Sequence, residues 1–390
     1  MNSILFIISI TTTALIGFFA VSVTERNKQI FSLPEKFALS FPLGAGIIAF
    51  YLFYISILGF NITIISTVPL FMLGMFGILK LYQIRQSSNN LFFSPQRRRG
   101  AEKRPTDSMS LTPRLRVSAV NFYFLRMNQL RTRLDSFVNY EECWNKHSWI
   151  KRALLILFTI TIVWKLSFMF FNAIVIPPIF DDAITCWSYK AKVIYFNKSI
   201  EMNPDNPLFL GGAYSLYPLA PSLFRVWIAL IMGGWHEGYI QLHSLIILVS
   251  LLLLIFINLK EYTSFFMRVL SCYLIISVPL FSTHAYAGYA DIILSCYITI
   301  CFTLLMKWYF TKENNILIIA AASMAMAIFT KNEGLVLYLP AALITFSYYC
   351  YKVAMKLDEK VKAVSLYILT LCIVAGPWIV FKIVYNIPLW

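Results

Sequence analysis

Apolar residues run through this chain in long blocks broken by short polar stretches, without the strict alternation of strands or the narrow stripes of surface helices. The blocks fall at roughly 3–23, 37–58, 62–80, 153–175, 239–258, 268–284, 291–309, 315–330, 334–351 and 363–385. Each approaches the ~20 residues a helix needs to cross a bilayer. The pattern predicts an all-α polytopic membrane protein with about 10 transmembrane helices. One further apolar stretch, Pro218–Met232, is too short: at ~1.5 Å per residue it covers about 22 Å of a ~30 Å hydrocarbon core. It also carries Arg225 at its centre.

Composition agrees with this class. The chain is 59% hydrophobic and 13% charged, where soluble domains hold roughly 45–50% apolar and about 25% charged residues. Its net charge of +15 is concentrated in one inter-span segment, 83–152, where 14 Lys/Arg face five acids. Such a distribution does not point to nucleic acid as a partner. The first part of the segment, with Arg97–Arg99, reads as disordered, and Val117–Phe137 reads as a helix lying on anionic lipid headgroups. The chain therefore divides into an N-terminal three-span module (1–82), a basic cytoplasmic loop (83–152) and a core (153–390) with an outer loop at 176–238. Residues 1–23 lack the basic start of a signal peptide and read as a retained span. Cys272, Cys296, Cys301, Cys350 and Cys372 lie inside apolar runs, Cys186 is expected to face outward, and no Cys or Cys/His spacing points to a disulfide framework or a metal.

Charge sets the threading. If Pro218–Met232 does not cross, Lys260/Arg268, Lys307/Lys312 and Lys352/Lys356/Lys360/Lys362 all join the basic loop on the cytoplasmic side. That stretch is then a juxtamembrane helix on the outer face. Asp181, Asp182, Lys190, Lys192, Arg225, His284, Asp291, Lys331 and Glu333 gather at the same outer boundary. Ionisable groups at membrane depth are costly and mark candidate sites. Carboxylates beside a low-dielectric boundary hold protons more readily than in water, which suits a general base. Lys190, Lys192, Arg225 and Lys331 are candidates to neutralise a phosphate. Plainer readings stand beside these: the acids as a helix cap, and Lys190 and Lys192 as snorkelling lysines. Lys165, stranded mid-span, is expected to face the bundle interior, with no chemistry assigned to it.

The sequence Asp181-Asp182 followed by Trp187 and Lys190-Ala191-Lys192 resembles the first outer loop of the GT-C superfamily of polyprenol-phosphate-sugar glycosyltransferases. Tyr217-Pro218-Leu219-Ala220-Pro221 and Arg225-Val226-Trp227 resemble that family's juxtamembrane segment. Gly288-Tyr289-Ala290-Asp291 resembles its second acidic position, and Thr330-Lys331-Asn332-Glu333-Gly334 its outer turn in bacterial members. The relatives in view are protein O-mannosyltransferases and lipid A aminoarabinose transferases, and the likeness spans about 150–390.

The resemblance implies a GT-C-like helical bundle and inverting transfer of a sugar from a polyprenyl-phosphate donor lipid to a glycan, lipid or protein acceptor, with no cofactor. It places the protein in a bacterial inner membrane, or the ER membrane of a eukaryote, with the site on the outer face. Asp181 or Asp182 is the base it implies, Asp291 the second acid, and Trp187, Tyr189, His284, Tyr289 and Glu333 are possible lining residues. It also implies continuation of such a chain beyond Trp390. A transporter or flippase for a lipid-linked intermediate, and a non-catalytic membrane subunit, are the alternative readings.

Overall fold

A computed structural model describes residues 2–25, 30–93, 148–212 and 214–389, and their regular structure is entirely helical. The basic-loop features expected at Arg97–Arg99 and Val117–Phe137 lie outside the described residues. In chain order the helices are α1 (Asn2–Thr24), α2 (Leu33–Ile57), α3 (Val68–Phe93), α4 (Trp149–Val175), α5 (Lys190–Asn197), α6 (Ala220–Met232) and α7 (Glu237–Asn258). They continue as α8 (Phe265–Ser277), α9 (Pro279–Ala287), α10 (Ala290–Thr311), α11 (Ile316–Thr330), α12 (Leu339–Lys352) and α13 (Leu357–Val384).

Among the described residues, eight helices are long and apolar enough to cross a membrane, the build of an integral membrane protein. The apolar block at 268–284 is not one straight helix, because α8 and α9 meet at a 69° bend. The block at 315–330 becomes α11, with 15 residues.

The N-terminal helices belong to the common core. Ser32 and Glu35 form a reciprocal capping box that starts α2. A side chain at Gly17 would strike the Ser40 carbonyl, and one at Gly44 the Thr13 carbonyl, so these glycines let α1 and α2 pack backbone to backbone. On its other faces α2 stacks Phe50 on Phe329 of α11 at 4.5 Å and sets Phe53 edge-on to Trp378 of α13 at 5.6 Å. Tyr297 of α10 donates to the Pro42 carbonyl at 2.8 Å.

Polar contacts define the two ends of the bundle. At one, Glu25 accepts from the backbone N–H groups of Ile30 and Phe31 and pairs with Lys36, while Lys307 pairs with Glu35 at 2.6 Å. At the other, Ser3 bonds Tyr239 at 2.7 Å and Lys192 pairs with Glu237. A Cβ at Gly238 would lie 2.6 Å from the Ile174 carbonyl, so the start of α7 abuts the end of α4. The chain thus leaves α4 and enters α7 at the same end, and α6 does not carry it across. Every residue of α6 is buried. The helix lies inside the protein rather than on a lipid surface, with Trp227 donating to Thr13 of α1 at 3.2 Å and Phe224 packing on Phe41 and His243.

Candidate functional site

Three segments meet at the end where α4 finishes. The first begins after Pro178: Asp182 heads a π-helical stretch, Ala183–Tyr189, that runs into α5. Wider π-turns change the direction of successive side chains and recur at functional sites. Here Asp181, Asp182 and Tyr189 are exposed, while Cys186 and Trp187 turn inward. Cys186, expected to face outward, is buried, and its thiol donates to Asp182 Oδ1 at 4.0 Å.

The second segment is the turn between α9 and α10. Gly288 adopts φ +79°, a left-handed conformation that an L side chain resists. The turn lays the His284 ring on Tyr289, with centroids 4.3 Å apart and 10° between planes. Asp291 follows in the first turn of α10, where the helix dipole favours a carboxylate. His284 Nδ1 lies 3.6 Å from Asp291 Oδ2.

The third is the link between α11 and α12, which includes a second π-turn, Gly334–Tyr338, headed by Glu333. Lys331 Nζ bonds Asp291 Oδ1 at 2.9 Å and Glu333 at 3.2 Å. Burial pulls the Lys331 ammonium down, and the two carboxylates outweigh it and hold it above its ordinary value.

Two tyrosines join the acid loci. Burial raises Tyr289, and Asp182, Asp291 and Asp181 then push it further in that order. Tyr217 is raised by burial and senses Cys186, Lys331, Asp182 and Glu333. It also packs on Trp187 at 5.4 Å. Asp291, His284, Tyr289, Lys331 and Glu333 are therefore linked by direct contacts, and Asp182 and Trp187 adjoin them through Tyr289 and Tyr217.

The other expected phosphate ligands spend their donors on groups of the protein itself. Lys190 is fully buried and donates to the Tyr214 and Tyr217 carbonyls at 3.1 Å each. Burial pushes its pKa down to about 7. Lys192 pairs with Glu237 and lies over the Trp235 ring. Arg225, with no exposed surface, donates to Ser188 Oγ at 3.1 Å and to the Gly288 carbonyl. It thereby ties the segment after Asp182 to the turn before Asp291. Of the four cations, Lys331 is the one that contacts Asp291.

Sequence reasoning assigns no role to Lys382, nor to Asn332 within the Thr330–Gly334 turn. Lys382 donates to the Leu216 carbonyl at 3.1 Å and to Asn332 Oδ1 at 2.9 Å. Asn332 in turn donates to the carbonyls of Leu216 and Leu389. The available signal was a lysine close to the end of the final apolar block, on the face already assigned to Lys331. Among the described residues, no group of three or more His, Cys, Asp or Glu side chains is arranged to hold a metal ion.

Comparison with family models, with curated proteins and with solved structures finds no match to this chain.

Proposed function

We propose that the protein transfers a sugar from a polyprenyl-phosphate donor to an acceptor hydroxyl at the outer membrane face. The observation that carries this reading is the meeting of Asp182 and Asp291 with Lys331, at one end of a bundle built to sit in lipid. A lipid phosphate lies at that depth, with its tail in the hydrocarbon. Asp182 takes the proton from the acceptor hydroxyl as it attacks the anomeric carbon, and the polyprenyl phosphate departs toward Lys331. Asp182 is favoured over Asp181 because its carboxylate receives the Cys186 thiol. Asp291 orients Lys331 and His284.

In this reading the crossings number about ten, counting α8–α9 and α11. The basic segment 83–152 faces the cytoplasm on anionic lipid, and the membrane is a bacterial inner membrane or its ER counterpart. The test is sugar transfer from a polyprenyl-phosphate donor by Asp182→Asn and Asp291→Asn. Loss of a general base costs about 10²–10⁴-fold in rate, so Asp182→Asn should fall by that much while donor binding persists. Full activity in both variants would overturn the proposal.

One observation favours a second reading. Broken helices are common in transporters, and α8–α9 is a broken helix. A flippase would move the lipid-linked donor with both acids intact and release no free polyprenyl phosphate.

A further inference from the structure

Lys165 lies within α4, a helix of span length, where an ammonium is expensive. The site at the bundle end makes no use of it. Its Nζ reaches across to α8 and donates to the Ile276 carbonyl at 3.2 Å. Ile276 is where α8 gives out: Val278 is extended, with φ −65° and ψ 116°, as the residue before Pro279 is pushed to be. A helix end leaves its last carbonyls without intrahelical donors, and in lipid those groups need a partner. Ile276 obtains two, Lys165 Nζ and Ser282 Oγ, the latter at 2.8 Å. Ser282 belongs to the first turn of α9, so this one carbonyl joins α4, α8 and α9. A cation also complements the negative end of the α8 dipole.

We propose that Lys165 is a positioning residue: its ammonium caps α8 at the break and so fixes the angle at which α9 leaves. That angle decides where His284, two residues beyond Ser282, stands relative to Asp291 and Tyr289. The bend is thereby held by a charge on a third helix, and the proline alone leaves its angle loose. This concerns the architecture beneath the Asp291 cluster and stands whether or not the protein transfers sugar.

The test is a distance measurement on the full chain in lipid nanodiscs, without substrate. Spin labels carried by unnatural amino acids at Met267 on α8 and Thr283 on α9 leave the native cysteines in place. The unaltered protein should give one narrow distance distribution. Lys165→Met should broaden it and shift it to longer distances as α9 swings toward the α8 axis, and Lys165→Arg should restore the narrow form. If Lys165→Met does not yield monodisperse protein, Lys165→Gln, a shorter uncharged donor, should show the same broadening. An unchanged distribution in the Met or Gln variant would overturn the proposal. So would an Arg variant as broad as the Met variant, since the charge would then not be what holds the bend. Neither result bears on sugar transfer, which is assayed separately.

Discussion

Replacing Arg225 by Met removes the side chain that ties together the two acid-bearing segments while keeping an unbranched apolar stem in its place. Two acceptors lose their donor, Ser188 Oγ and the Gly288 carbonyl. Stranding a buried acceptor costs about 1–3 kcal/mol. Taking away a fully buried guanidinium also removes its desolvation cost, which offsets part of the loss. A net local destabilisation of about 1.5–3 kcal/mol follows, equivalent to roughly a 10- to 100-fold rise in local opening. Hydrogen exchange read by mass spectrometry resolves such local openings. Peptides covering 183–189 and 284–291 should exchange faster by that factor, while those at the opposite end of the bundle, around the Ser32–Glu35 capping box, should not change. Exchange unaltered in both peptides would refute the claim that Arg225 holds the acid-bearing segments together. Faster exchange throughout the protein would refute it as well, because the residue would then be a general core element.

Other consequences can be measured with the same material. Gly288 and Gly233 both adopt left-handed backbone, at φ +79° and +69°, but a Cβ meets Arg225 Nη2 at 2.7 Å at Gly288 and nothing within 4 Å at Gly233. Both Ala variants should lose about 1–2 kcal/mol to backbone strain, and Gly288→Ala should melt distinctly lower in a detergent thermal-stability assay. Lys190 has a folded pKa of about 7 against an ordinary 10.5; folding releases its proton between those values, so stability should rise with pH across that window and level off below it. Lys190→Met should flatten that rise in melting temperature. At the opposite end, Glu25→Gln leaves the buried Lys36 without its counter-charge, at about 3–5 kcal/mol. The double variant Glu25→Gln/Lys36→Met should be milder than the single one by the same melting assay.

The positions of the apolar helices were legible because burial in lipid leaves a direct mark on hydropathy. The gathering of Asp182, Asp291, Lys331 and His284 was legible for a related reason: acids and cations are rare in such a chain, and threading by charge places the survivors on one face. The fate of α6 was not legible. A short apolar helix with a central arginine suits an interface as well as a core, and the acceptors that satisfy Arg225 are a hydroxyl and a backbone carbonyl, which leave no mark at a distance in sequence. The partners of Lys190 were hidden for the same reason, since its acceptors are the carbonyls of Tyr214 and Tyr217. The break in α8–α9 did carry a signal, Val278-Pro279, inside a block whose hydropathy alone read as a continuous span. The π-helical stretches after Asp182 and Glu333 have no sequence mark that we recognise.

The measurement that tests the account most directly is a structure of the full chain with polyprenyl phosphate bound in lipid nanodiscs. The phosphate is expected within hydrogen-bonding distance of Lys331, with the Asp182 carboxylate facing the bound headgroup and the lipid tail leaving into the hydrocarbon from the end where α4 meets α7. A phosphate seated instead at the opposite end, beside Lys307 and Glu35, would contradict it.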